Sequence, residues 1–297
     1  MHQKYSILIN SCDKYSDVWP MFFHIFKKTW TSNFPRIFLN TEEKQVVCED
    51  LNIQCLNISD AKTKDIPWGE RLKDCLARID SDYVLMLLED FYFESEIDVN
   101  AIDKCVDYLN KNNDIIAFQF LHASKHRYSN KAERNEFYGF LQRRRLSKFL
   151  INAGPALWRK SDLINLTKDT DNPWEWEYFG SFRTWFYGKK IYCWADESKK
   201  IFDYDFVHGG AVHRGKWVGY KLRELSEKYS FPLDYGDREI EEDWMKSETR
   251  NKKEAYFKRL PTIIVNRIKI VINIFAGIKT RFLSKKREKS YETNKFE

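Results

Sequence analysis

Short apolar runs alternate with segments of helical periodicity through the first 121 residues of the chain. The run 83–88 is apolar throughout, which is typical of a central strand covered on both faces. Strands are predicted at 5–10, 36–40, 53–58, 83–88 and 115–121, and helices at 17–28, 42–51, 68–79 and 97–109. Strands that alternate with helices of this size predict an α/β fold with a mostly parallel, Rossmann-like central sheet flanked by helices.

The second half of the chain has a less regular pattern. Strands are predicted at 137–141, 148–151 and 191–194, helices at 174–187, 218–229 and 237–257, a short helix capped by Ser161, and a flexible glycine-rich loop at 208–215. No internal repeat, long linker or low-complexity stretch interrupts the sequence. We therefore expect one folded unit over 1–258 and a C-terminal appendage over 259–297.

The appendage has a helical pattern that is apolar around most of its circumference. Its narrow polar stripe consists of Asn266, Lys269, Asn273, Gly277 and Thr280. The longest stretch without a charge, 270–278, is shorter than the ~20 apolar residues that cross a bilayer. With the basic cluster at 285–289, this pattern predicts an amphipathic helix on an anionic membrane surface. A helix packed on the body or on a second subunit is the alternative.

Charge is concentrated in this appendage. Residues 259–297 hold ten Lys/Arg and three Asp/Glu, which gives this segment a net charge of +7. Since the whole chain has a net charge of +6, residues 1–258 have a net charge of −1. A near-neutral body does not suggest nucleic-acid binding, and the three arginines at 143–145 are too few to change that. Six scattered cysteines and the lack of a signal peptide predict reduced thiols and a cytoplasmic protein, peripheral on the inner face of the membrane.

Two carboxylates, Glu89 and Asp90, directly follow the apolar run 83–88. Ligands of open α/β sheets bind at the carboxyl ends of strands, and hard divalent cations take carboxylate oxygens. Side chains alternate along a strand, so the two carboxylates point in different directions and we expect Asp90 to contact a metal directly, with Glu89 near it. An ordinary acidic turn is the alternative.

The order of three segments resembles a known family. A first strand ends in the polar loop 9–13, a helix begins at Trp68, and the central strand closes in Glu89-Asp90-Phe91. Over roughly 5–217 this order resembles the GT-A-fold glycosyltransferases of bacterial surface-polysaccharide (O-antigen or capsule) synthesis. The resemblance implies Mn²⁺ or Mg²⁺, a nucleotide-sugar donor such as a UDP-sugar bound by a donor half at 1–121, and an acceptor half at 122–258. The Glu-Asp-Phe sequence departs from the family's usual Asp-x-Asp.

Two acidic residues near the start of a predicted helix are candidates for the catalytic base. Within 172–177, the resemblance places the base of an inverting transferase at Glu177, with Glu175 close behind. A carboxylate within hydrogen-bond reach can take the proton of an attacking hydroxyl. Because the two are two residues apart, they point in different directions on a helix and only one can act. Stabilisation of the helix N-terminus is the alternative role.

Further candidates lie in the glycine-rich loop and in the first half. His208 and His213 are possible metal ligands, while Arg214 and Lys216 could neutralise a diphosphate. Among the donor-binding candidates, Asp13 would contact the base or ribose and Arg71 the diphosphate. The alternatives are a loop with incidental histidines, a turn aspartate and a solvated arginine on a helix face.

These observations favour a metal-dependent glycosyltransferase that passes a sugar to a lipid-linked oligosaccharide or surface glycan. Two other functions remain open: a sugar nucleotidyltransferase on a related sheet, and a non-catalytic, membrane-associated protein that binds glycans or acts as a scaffold. No dinucleotide fingerprint, P-loop, zinc-protease motif or nucleophile elbow occurs in the sequence.

Overall fold

The computed structural model describes residues 4–58, 66–122, 136–196, 198–205, 210–242 and 260–293. The strands are β1 (Ser6–Asn10), β2 (Ile37–Asn40), β3 (Ile53–Cys55), β4 (Tyr83–Leu88), β5 (Ile115–Gln119), β6 (Phe140–Gln142), β7 (Ala156–Arg159), β8 (Lys190–Trp194), β9 (Val212–His213), β10 (Lys216–Val218) and β11 (Ile240–Glu241). The helices are α1 (Trp19–Thr29), α2 (Trp68–Arg78), α3 (Val99–Lys111), α4 (Lys160–Leu166), α5 (Pro173–Trp185), α6 (Gly219–Tyr229) and α7 (Leu260–Thr293), and a 3₁₀ turn spans Asp13–Tyr15.

Strands β1 to β8 form one sheet in the order β3-β2-β1-β4-β7-β5-β8-β6. The pairs β1–β2, β1–β4, β2–β3 and β5–β8 are parallel, so the predicted mostly parallel α/β fold is confirmed. Strand β7 is antiparallel and lies between β4 and β5, with Ala156 opposite both Met86 and Gln119. The loop before β7 therefore lies at the carboxyl edge of β4 and β5.

Two apolar layers cover the sheet. Helices α1, α3 and α6 pack on one face, and α2, α4 and α5 pack on the other. The central strand β4 contributes Leu85 and Leu87 to the first layer and Val84 and Met86 to the second. This explains its uninterrupted apolar sequence, because both of its faces are removed from water.

Helix α7 packs against α5 and α4. At Gly277 the two backbones come so close that an added Cβ would lie 2.0 Å from the carbonyl oxygen of Arg183. Within the described ranges, no helix is both long and apolar enough to cross a membrane.

Some predicted elements are wrong. Residues 42–51 form bends and a short bridge rather than a helix. Val46 and Cys48 are only partly buried against the core and Val47 is 94% exposed, so the segment buries too little apolar surface to stabilise a helix. Residues 148–151 are not a strand. Their carbonyls accept hydrogen bonds from side chains instead of from a neighbouring strand: Leu150 from Gln119, and Phe149 from Arg143.

Two further predictions concern helix boundaries. Ser161 lies inside α4, whose N-cap residue is Arg159. The helix predicted at 237–257 is wrong at its start, where a turn leads into β11, and its remainder from 243 lies outside the described residues.

Candidate active site

The ends of β1 and β4 bring the first candidate residues to one edge of the sheet. The two strands are parallel neighbours with Asn10 opposite Leu88, so the loop after β1 meets Glu89 and Asp90. The Trp19 indole donates to the Ser11 hydroxyl at 2.7 Å, which fixes this loop on α1. The carboxyl edge is the place where open α/β sheets bind their ligands.

Glu89, which is buried, and Asp90, which is half-buried, form an acidic pair. Burial, together with the neighbouring Asp90 charge, raises the pKa of Glu89 to about 8, and burial raises the pKa of Asp90 to about 6. Asp90 Oδ1 is buried and has no hydrogen-bond partner among the described residues. Two close carboxylates out of water favour sharing a proton unless a cation lies between them.

Arg238 supplies positive charge to this pair, and sequence reasoning missed it. Its positive charge partly offsets the rise in the pKa of both carboxyls, and its guanidinium binds Asp17 through two hydrogen bonds of 2.7 Å. It also donates to the Gly215 carbonyl at 2.8 Å and stacks 4.5 Å from the ring centre of Tyr15. The sequence held no local signal for it, since its partner Asp17 lies 221 residues away.

A polar cavity of about 560 Å³ opens beside Arg238. Its lining combines basic and acidic side chains from the 3₁₀ turn, the loop after β2 and the segments flanking β10: Asp13, Lys14, Ser16, Asp17, Lys44, Arg214, Gly215, Lys216, Asp237, Arg238 and Glu239. The structure thus brings together three residues predicted for the donor site, Asp13, Arg214 and Lys216. Arg238 links this cavity to the acidic pair.

Asp13 organises the loop after β2. Its carboxylate accepts backbone hydrogen bonds from Glu42 at 3.0 Å, Glu43 at 2.9 Å and Lys44 at 3.0 Å. These three bonds use most of its acceptor capacity. Asp13 therefore shapes one wall of the cavity.

Arg71 is buried rather than solvated. It forms an ion pair with Glu42 and donates to the Ser11 carbonyl at 3.0 Å. It joins the loop after β1 to the loop after β2, and its charge lowers the pKa of Cys12, which burial and Glu89 raise overall. It is not among the residues that line the cavity.

The predicted flexible loop contains a tight hairpin. Strands β9 and β10 pair His213 with Lys216, and the two residues between them have φ values of +50° at Arg214 and +79° at Gly215. Two successive positive φ values are typical of a type I′ turn. Lys216 is half-buried and pairs with Glu239 at 2.7 Å. His208, the other predicted metal ligand of this segment, lies outside the described residues.

Glu175 and Glu177 point in different directions from α5, as their spacing predicts. Asn172 caps the helix by accepting from the Glu175 amide at 2.9 Å, and the Glu175 carboxylate pairs with Lys269 of α7 at 2.6 Å. Glu177 Oε1 accepts from the Ala153 amide at 2.7 Å. Because Ala153 lies in the loop before β7, Glu177 is held at the carboxyl edge of β4 and β5.

Tyr204 connects the two acidic positions, and its role was not predicted. Burial raises its pKa, and the charges of Asp90 and Glu177 raise it further, so both carboxylates lie near one phenol. Its ring packs 4.6 Å from that of Phe91. Burial also raises the pKa of Glu177, which makes it a stronger base once it is ionised.

In the described part of the chain, no group of three or more His, Cys, Asp or Glu side chains is arranged to hold a metal ion. His213 lies on β9, and no described geometry joins it to Asp90 as a shared ligand set. Glu89 and Asp90 are thus the candidate metal-binding residues at this edge.

No protein-family model and no curated protein matches the sequence. Among solved structures, S. aureus TarS 1–349 has 12% identity and a TM-score of 0.47, over 92% of this chain and 81% of that one. The complex of TarS 1–349 with UDP-GlcNAc has 10% identity and a TM-score of 0.43, over 76% of this chain and 66% of that one. A cytidylyltransferase from Leptospira borgpetersenii has 13% identity and a TM-score of 0.40, over 79% of this chain and all of that one. At these values the similarity concerns only the general α/β arrangement.

Proposed function

We propose that the protein is a glycosyltransferase that takes a sugar from a nucleotide-diphosphate donor, a UDP-sugar in the first instance. The observation that carries this proposal is the acidic pair at the end of the central strand, where Glu89 is buried and Asp90 is half-buried with a buried Oδ1 that lacks a hydrogen-bond partner among the described residues. Such an oxygen costs free energy unless a ligand occupies it. A bound cation and its diphosphate would supply that ligand.

The acidic pair fits Mn²⁺ or Mg²⁺. Both ions take carboxylate oxygens, and Asp90 and Glu89 would provide them. Asp90 would ligate the ion and Glu89 would support it, with His208 and His213 as further ligand candidates. When bound, the ion supplies positive charge that neutralises the departing diphosphate.

The cavity beside Arg238 suits the anionic part of the donor. Lys14, Lys44, Arg214 and Lys216 line it, and several of its carboxylates are already engaged: Asp17 with Arg238 and Glu239 with Lys216. Positive side chains at a site of phosphate charge stabilise that charge. Asp13 would then position the cavity wall against the nucleoside, and Arg71 would hold the two loops together.

Glu177 is the better candidate for the base that deprotonates the acceptor hydroxyl. It lies at the same sheet edge as Asp90, whereas Glu175 is paired with Lys269. The acceptor we propose is a surface glycan or a lipid-linked oligosaccharide. Ionised Glu177 would take the hydroxyl proton as the oxygen attacks the anomeric carbon and the sugar–phosphate bond breaks.

Release of UDP from UDP-sugars tests this function. The full chain is incubated with a panel of UDP-sugars and Mn²⁺, and UDP is measured by chromatography. Wild type should release UDP slowly through water attack, and Asp90→Asn should lower the rate at least 100-fold, roughly the loss expected when charge stabilisation at the leaving group is removed. Glu227→Gln on the exposed side of α6 is the matched control and should leave the rate unchanged.

The same assay separates the alternatives. A protein that only binds glycans releases no UDP with any donor. A nucleotidyltransferase instead releases pyrophosphate when it is given a nucleoside triphosphate and a sugar phosphate. Either result, or an Asp90→Asn variant that retains the full rate, would contradict the proposal.

A further inference from the structure

Helix α7 packs against the rest of the protein through its polar side. The stripe predicted from the sequence faces inward: Asn273 is 5% exposed, and Gly277 is buried against the backbone of α5. Asn273 Oδ1 accepts from Arg183 Nη1 at 2.7 Å, and Lys269 reaches Glu175 at 2.6 Å. A helix that uses its polar stripe for this contact leaves its apolar side outward.

The outward side of α7 is rich in exposed apolar residues. They recur at helical spacing over about three turns, 265–275, and again at 282 and 283. Each is at least half exposed: Val265, Ile268, Val271, Ile272, Phe275, Phe282 and Leu283. Phe275 and Phe282 are 66% and 70% exposed. Adjoining exposed apolar side chains of this size mark an interaction surface rather than ordinary surface scatter.

The charges around this face are all of one sign. Between residues 265 and 286 the sequence has six basic residues and no acidic one, and five of the six remain once Lys269, which is paired with Glu175 on the inward side, is set aside. Two copies of the face would bring cations against cations, which opposes a dimer formed through it. An anionic surface would instead satisfy both the apolar side chains and the surrounding cations.

A cationic pocket lies on the flank of the same helix. It has a volume of about 400 Å³ and is lined by Asn113, Asp114, Tyr187, Gly188, Lys189, Arg281, Ser284 and Lys285. Asp114 and Lys189 each already have a partner of opposite charge, Lys190 at 2.7 Å and Asp162 at 3.1 Å. Arg281 and Lys285 have no carboxylate partner among the described residues, and Gly188, at φ +87°, lets the Arg281 guanidinium approach its backbone closely.

We propose that α7 binds a membrane containing anionic phospholipid, with the apolar face 265–283 among the acyl chains and the pocket at Arg281 and Lys285 receiving a headgroup phosphate. The ion pair and hydrogen bonds to α5 then fix how the body sits on the membrane. Lys279, next to the apolar face, can bury its methylene stem and keep its ammonium at the headgroups. This proposal does not depend on the transferase reaction.

Vesicle sedimentation of the full chain tests the proposal. Wild type should pellet with vesicles of phosphatidylcholine mixed with phosphatidylglycerol and much less with phosphatidylcholine alone. Phe275→Ser combined with Phe282→Ser should lower partitioning at least tenfold, since two aromatic side chains no longer leave water. Arg281→Gln combined with Lys285→Gln should lower it on the anionic vesicles only, by roughly tenfold or more.

Leu233→Ser, at a position 43% exposed outside α7, is the matched control and should pellet like wild type. Thermal melts check that each variant is folded. We expect them to be folded because the substituted side chains are at least partly exposed. The proposal is overturned if the phenylalanine variant pellets like wild type, or if wild type does not pellet. It is also overturned if light scattering finds a lipid-free dimer that the phenylalanine variant dissociates, since the face would then belong to a second copy.

Discussion

The acidic pair is the residue-scale feature on which the proposed chemistry rests. Glu89 is 6% exposed, and the charge of a second carboxyl, Asp90, adds to the effect of burial on its pKa. The sequence identified the pair because it follows an apolar run directly. It could not identify Arg238 or Tyr204, because both approach the pair only after distant parts of the chain have folded together.

The pair makes stability depend on pH. The pKa of Glu89 rises from 4.5 to about 8 on folding, so the folded chain holds a proton that the unfolded chain has lost, and stability falls as pH rises through this window. Glu89→Gln has no proton to lose. In EDTA, the free energy of unfolding of Glu89→Gln minus that of wild type should therefore increase by on the order of 3 kcal/mol from pH 5 to pH 8.5. Urea unfolding at the two pH values measures this gain, and an unchanged difference between the proteins would contradict it.

A divalent cation should reverse this penalty. At pH 8, Mn²⁺ should raise the thermal midpoint of wild type, because an ion held by the folded site stabilises the folded state by mass action. Asp90→Asn should remove most of this rise, while the exposed Asp80→Asn, whose partner is Arg36, serves as the control. An equal Mn²⁺-dependent rise in all three proteins would place the ion elsewhere.

At the scale of elements, continuous apolar runs predicted strands well, and helices with a buried face were also predicted. The helix predicted at 42–51 was wrong because helical spacing alone does not stabilise a helix that would bury only a few apolar side chains. The β9–β10 hairpin was missed because it rests on two residues, Arg214 and Gly215, whose left-handed backbone the sequence pattern did not reveal.

Two substitutions test these backbone conformations. Gly215→Ala has room for its Cβ, 3.7 Å from the Tyr15 hydroxyl, so its expected cost of about 1 kcal/mol comes from the φ of +79°. Ser230→Gly, at the C-terminal end of α6 with φ +51°, should instead stabilise the fold by up to about 1 kcal/mol. Urea unfolding measures both changes, and effects of the same sign would contradict this account.

At the scale of the whole molecule, α5 joins the candidate active site to the C-terminal helix. Glu177 faces the sheet edge, while Glu175 and Arg183 contact α7. The sequence predicted both the acidic helix start and the polar stripe of the appendage, but no pattern indicated that the two would meet. The sequence pattern could not predict their contact, because it depends on the close approach of two backbones that Gly277 permits.

The buried ion pair between Asp171 and Arg183 supports this junction, because Arg183 also donates to Asn273 of α7. Asp171→Asn would leave the Arg183 guanidinium buried without its counter-charge, and we expect a loss of about 3–5 kcal/mol. Asp169→Asn makes the same chemical change in a pair with Lys73 that is largely exposed, and should cost less than about 1 kcal/mol. Urea unfolding compares the two, and hydrogen exchange should show faster exchange in α7 for Asp171→Asn alone. Equal costs for the two variants would mean that the junction does not depend on this ion pair.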